Sequence, residues 1–184
     1  MNEKIEQYVR NHGRDFMEWL CDIISIPSPT GHEQAKGEWI LNLLHQWGAA
    51  GAYRDAAGNV VYPCHVKSGE KVALYTAHID TVFQDLQEIH IRQTGHILSA
   101  PSCSDNSASI AGLLFIIKMF HDLQLTPPQG LLFAFDVGEE GLGNLKGMRQ
   151  VMADWHGRIA EVVAVDCTFD TFVTTAVGSR RYAV

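Results

Sequence analysis

The residues most able to do chemistry stand where buried segments end. The stretch LYTAHIDTVF (74–83) runs apolar into His78 and Asp80. LLFAFDVGEE closes on Glu139 and Glu140, EVVAVDCT carries Asp166, and Asp105 opens the apolar run that follows SAPSC. In an open α/β sheet, sites assemble in the crevice outside the carboxyl ends of the strands. Acids gathered there with one histidine repel one another unless a cation compensates them. Carboxylate oxygen combined with imidazole suits Zn²⁺, Mn²⁺ or Co²⁺ better than Ca²⁺.

Taken singly, each has a plainer reading. His78 could be a hydrogen-bonded strand-end residue, Asp105 a helix cap and Glu139–Glu140 a solvated loop. Asp166, inside an apolar strand, is harder to explain, because a buried carboxylate needs a partner. Their joint occurrence favours a metal site.

The elements that must position them follow from periodicity. Ile5, Tyr8, Val9, Phe16, Trp19, Leu20, Ile23 and Ile24 recur at helical spacing, which predicts a helix from about residue 3 to 24. Pro27 and Pro29 end it, and Thr30 with Glu33 reads as a capping box for a second helix lined by Ala35, Trp39, Ile40, Leu43, Leu44 and Trp47. NVVYPCHV and KVALYTAHI read as strands joined by a turn at KSGE, and EIHIRQTGHILSA as a hairpin turning at Gly95. SDNSASIAGLLFIIKMFHDL reads as one long helix with Ser104 or Asp105 at its start. GLLFAFDV is a central strand, LGNLKGMRQVMADW a helix, EVVAVDCT a buried strand and TFVTTAV another. Strands alternating with helices predict an α/β class, a mixed and largely parallel sheet with helices on both faces.

The bulk composition restricts the partners. A chain of 184 residues, 46% hydrophobic and 19% charged, is long enough for one well-buried domain. Its formal charge of −7, with no basic stripe, argues against nucleic acid. The longest apolar run, IAGLLFII, is far short of a membrane span. Cys21, Cys64, Cys103 and Cys167 are scattered with no CxxC pair, as expected of reduced thiols in a cytoplasmic protein.

Four ordered motifs, TAHIDTV, SDNSASIAGLL, GEEGLGNLKG and VDCT, carry a resemblance. In order and approximate spacing they resemble the M20 family of co-catalytic zinc metallopeptidases, which includes carboxypeptidases, di- and tripeptidases and acylamino-acid deacylases. The likeness runs from IPSPTGHE to the last residue. It implies that His78 and Asp166 bind one metal and Glu140 the other, with Asp105 bridging them. It further implies that Asp80 orients the His78 ring, that Glu139 is the general base and that the Asp105–Asn106 peptide is cis. The chemistry agrees with the types: strand alternation puts the Asp80 carboxylate beside the second ring N–H, and a bridging carboxylate suits two-metal activation of water.

The expected cofactor is therefore Zn²⁺, two per complete site, with Co²⁺ or Mn²⁺ as substitutes, and the expected substrate a small peptide or N-acyl amino acid. The EEGLGNLKG stretch leans toward the aminopeptidase and tripeptidase side. Cys103 and Cys167 stand where the family has small residues and read as packing thiols, the alternative being a site for oxidation or for a softer metal. The resemblance also implies a lid or dimerisation domain and a late metal-binding histidine beyond VGSRRYAV. Residues 1–184 are accordingly expected to be the N-terminal part of the catalytic domain, inactive alone, with an apolar floor that a homodimer would cover. The rival reading is a non-catalytic binding or assembly module that keeps the scaffold.

Overall fold

A computed structural model describes residues 2–85, 88–166 and 171–175. The first helix, α1 (Asn2–Ser25), ends just before the two prolines, which cannot continue it. Helix α2 (Gln34–Gln46) follows. The strands are β1 (Tyr53–Arg54), β2 (Val60–Cys64), β3 (Val72–His78), the hairpin β4 (Arg92–Thr94) and β5 (Ile97–Ser99), then β6 (Gly130–Asp136) and β7 (Ile159–Ala164). Helix α3 (Ala108–Asp122) precedes β6, and α4 (Lys146–Asp154) separates β6 from β7.

Five strands form one mixed sheet in the order β1-β2-β6-β3-β7. The three that end at the candidate site, β6, β3 and β7, are parallel, whereas β2 is antiparallel to β6 and β1 to β2. Central β6 is buried along its whole length because it is flanked on both edges and covered on both faces. Leu131, Phe133 and Phe135 pack with Ile23, Ile24, Ile40, Leu44, Leu113 and Leu114 of α1, α2 and α3. Leu132 and Ala134 turn to the opposite face, where Val61, Val72 and Leu74 meet Val151 and Trp155 beside α4. The α/β expectation holds, with helices on both faces.

Four local expectations change. The KSGE turn does not close a hairpin: β2 and β3 both pair with β6, which lies between them. Helix α3 begins at Ala108, and Cys103–Ser107 before it is an irregular turn with a cis Asp105–Asn106 peptide. Among the described residues β7 lies at the edge of the sheet rather than inside it, with Val162 48% exposed. Residues 171–175 form no strand, and the rest of TFVTTAV lies outside the described residues. Among the described residues no helix is long and apolar enough to cross a membrane.

Candidate active site

The carboxyl ends of β3, β6 and β7 deliver the acids to one place. His78 is the last residue of β3 and is buried. Its Nε2 lies 3.0 Å from Asp105 Oδ1, while Nδ1 lies 3.0 Å from the Asp80 carbonyl oxygen and 3.6 Å from Asp80 Oδ1. The backbone carbonyl, not the carboxylate, is thus the nearest acceptor for Nδ1–H. Burial alone would lower the His78 pKa, but Asp80, Glu139 and Asp166 outweigh it and lift the ring to about 9.

Asp80 has no exposed surface, and its carboxylate is spent on the neighbouring loop. Oδ1 accepts the Glu139 amide at 3.0 Å. Oδ2 accepts the Glu140 amide at 3.0 Å and the Thr30 hydroxyl at 2.9 Å. Burial opposes ionisation, yet the His78 interaction and these donors hold the carboxyl down at about 2. Residues 28–30 run alongside 79–81, with Thr81 N–H on the Ser28 carbonyl at 2.9 Å and Thr30 N–H on the Thr81 carbonyl at 3.2 Å. Thr30 is therefore drawn to Asp80 and does not cap α2. Glu33, its expected partner, accepts Gly31 N–H at 2.8 Å and reaches Lys146 Nζ at 3.7 Å.

Asp105 sits on the irregular turn with its side chain 49% exposed. The next side chain, Asn106, donates to the Val165 carbonyl at 3.0 Å, and Val165 N–H reaches the Thr76 carbonyl at 2.8 Å. These two bonds place Asp166, which is exposed, beside the Asp105 turn. One ligand atom from each of His78, Asp105 and Asp166 falls within 4.8 Å of the others, and the same holds for His78, Glu139 and Glu140. Glu140 is raised above the ordinary carboxylate range by burial and by the charges of Asp105 and Glu139. All six predicted site residues are brought together.

The donor set fits divalent cations. Two atoms each ~2.0–2.1 Å from a tetrahedral zinc lie roughly 3.3 Å apart, near the observed spacing of His78 Nε2 and Asp105 Oδ1. The acids demand positive charge, and their pull is what raises the His78 pKa against the effect of burial. With Nδ1–H committed to the Asp80 carbonyl, a neutral ring presents its Nε2 lone pair on the Asp105 side.

Sequence reasoning missed one buried acid. Asp136, opposite His78 in the ladder, accepts the Thr76 hydroxyl and is pushed up to about 6 by burial. An aspartate ending the all-apolar run GLLFAF was the available signal. Cys103 packs against the core with its thiol pushed up by burial, consistent with a packing role; Cys167 lies outside the described residues. Beside Glu140 opens a cavity of about 620 Å³, walled in part by Thr30, Val82, Leu142 and Lys146.

Comparison with known proteins follows the same lines. The profile of peptidase family M20/M25/M40 matches residues 74–179. A Pyrococcus abyssi protein named for hydrolysis of LysW-lysine and LysW-ornithine is 32% identical over 134 residues, 72% of this chain and 35% of its own length. Human carnosine dipeptidase 1 superposes with a TM-score of 0.73 at 14% identity, over 89% of this chain and 41% of that one. A Staphylococcus aureus tripeptidase gives 0.64 at 20% identity, over 82% and 42%. These structures establish a shared fold. The chain spans about a third of the curated relative it matches.

Proposed function

The chain belongs to peptidase family M20/M25/M40, and from that premise we propose a metal-dependent hydrolase site for amide bonds of small peptides or N-acyl amino acids. The observation that carries this reading is the convergence of His78, Asp105, Asp166, Glu139 and Glu140 on one strand-end crevice. His78 and Asp166 would hold one cation, Glu140 the other, and Asp105 both. Two zinc ions, or Co²⁺ or Mn²⁺ in their place, would supply Lewis acidity to the attacking water and the scissile carbonyl.

The chain's own groups account for the rest. Asp80 fixes the His78 tautomer through its carbonyl and aims Glu139 and Glu140 by taking their amides. Glu139, left without a ligand role, accepts the water's proton and returns it to the leaving amine. The cavity beside Glu140 is large enough for a substrate side chain. The likeness of EEGLGNLKG to aminopeptidases and tripeptidases inclines the reading toward an exopeptidase.

Residues 1–184 serve in this proposal as the N-terminal part of the catalytic domain, in keeping with the 35–42% of each relative's length that they match. A lid or dimerisation domain would complete the site, and a homodimer would cover apolar surface such as Val162 and Val163 on β7. The free thiols of Cys21, Cys64 and Cys103 suit the cytoplasm. The test is metal analysis of chelator-free protein beside hydrolysis of di- and tripeptides and N-acyl amino acids. The 184-residue chain is expected to bind one metal tightly and to turn over little. Absence of metal binding would favour the non-catalytic scaffold, and two tight metals with rapid turnover would overturn the expected dependence on further residues.

A further inference from the structure

The loop from Gly138 to Lys146 carries both glutamates, and one distant side chain fastens its two ends. Asn59 is fully buried. Its Oδ1 accepts Val137 N–H at 2.9 Å, where the chain leaves β6. Its Nδ2 donates to the Gly147 carbonyl at 2.8 Å, in the first turn of α4. The backbone closes the same gap, with Gly147 N–H on the Val137 carbonyl at 3.0 Å. The second Nδ2 hydrogen goes to Asp55 Oδ2 at 2.6 Å, and Asp55 Oδ1 accepts the amides of Ala57, Gly58 and Asn59 at 2.9–3.0 Å.

That network fixes the orientation of the amide. Flipping it would set a donor against Val137 N–H and an acceptor against both the Gly147 carbonyl and the Asp55 carboxylate. The junction has no slack either. A Cβ on Gly147 would lie 2.2 Å from Asn59 Oδ1 and 2.5 Å from the Val137 carbonyl oxygen. Above it the loop folds onto itself: a Cβ on Gly143 would lie 2.4 Å from the Gly138 carbonyl oxygen. An apolar residue in place of Asn59 would leave Val137 N–H buried without its acceptor and take from the Gly147 carbonyl the donor that ties it to the sheet, so the polar side chain joins those two ends.

We infer that Asn59 is a positioning residue for Glu139 and Glu140, setting where their loop leaves the sheet and enters α4 while Asp80 fixes its tip. The inference rests on the proposed hydrolase site for its functional meaning. Asn59 acts through the loop and is not itself catalytic.

Asn59→Asp keeps the acceptor for Val137, removes the donors to Gly147 and Asp55, and sets a carboxyl against Asp55. Gly147→Ala crowds the same junction from the other side, so a folding failure of one variant would leave the other as an independent test. In the 184-residue chain, amide exchange at Glu139 and Glu140 is expected to accelerate roughly tenfold or more in either variant, with β3 protection unchanged. In a Co²⁺ titration, binding that Glu140→Gln abolishes should weaken roughly tenfold, while binding that needs His78 and Asp166 stays put. Loss of protection spread evenly over β3 and β6, equal weakening of both kinds of binding, or an unaltered loop would each overturn the inference. A wild-type chain that binds no Co²⁺, beside variants that lose loop protection as described, would uphold the placing of the loop and refute the hydrolase reading.

Discussion

Three acids of the site, Glu139, Glu140 and Asp166, reach His78 from two differently built regions. Glu139 and Glu140 ride a loop held at their own amides by Asp80 and at its base by Asn59, through bonds that are buried at Asn59 and partly buried at Asp80. Asp166 follows β7, whose Val162 and Val163 are 48% and 36% exposed, and Val165 before it is held by the Asn106 side-chain amide and by a backbone bond to Thr76. One region fixes its side chains by saturating polar groups in a dry place. The other pairs, among the described residues, with β3 alone and gains the Asn106 amide just past its end. Placement of functional groups therefore follows the local hydrogen-bond inventory more than depth in the core, and the two halves of the site should respond unequally to mutation.

The harshest way to break this contrast is Asp80→Ala, which strands two amides and a hydroxyl and leaves buried charge uncompensated. A loss of ~3–5 kcal/mol in urea unfolding is expected, against none for the region around Asp166. Next comes the acid beneath the site. Asp136 has a folded-state pKa of about 6, above its unfolded value, so the folded form binds the extra proton. Its contribution is complete below the unfolded pKa and fades as pH rises through about 6, a difference of roughly 3 kcal/mol at most. Asp136→Asn in metal-free protein should flatten the fall in stability between about pH 4 and 6 seen for the wild type by chemical denaturation. An unchanged slope would place that carboxyl in a wetter setting than the one described.

Thr30→Val removes one donor from Asp80 and should cost ~1–2 kcal/mol, with faster exchange of the Thr81 region by hydrogen–deuterium measurement. The smallest effect sharpens the comparison from the other side. Asp166→Asn should change stability by less than ~0.5 kcal/mol in thermal melts while lowering metal affinity in calorimetry. A destabilisation as large as that of Asp80→Ala would erase the distinction between the two regions.

The polar residues closing apolar runs were legible before any coordinates, because a buried strand rarely ends on His-x-Asp or Glu-Glu without a reason. The α/β alternation and the β4–β5 turn at Gly95 were legible for the same kind of local cause. Thr30 and Glu33 were misread: their spacing fits a capping box, but the hydroxyl serves a carboxylate 50 residues away and the local pattern cannot rank that competitor. β7 misled because Val-rich composition reports strand propensity and not place in the sheet. Asn59 gave no signal at all in sequence, since its worth lies in where Val137 and Gly147 happen to meet.

The position of β6 between β2 and β3 has a consequence for synthesis. The two flanking strands leave the ribosome together, joined by a short connection, while the strand that must fill the slot is made roughly fifty residues later. Until then β2 and β3 are apolar neighbours free to zip against each other in a non-native ladder. Productive folding has to keep that slot open or reopen it, so the slow, aggregation-exposed interval in the life of this chain should fall before the hydrophobic run GLLFAF emerges.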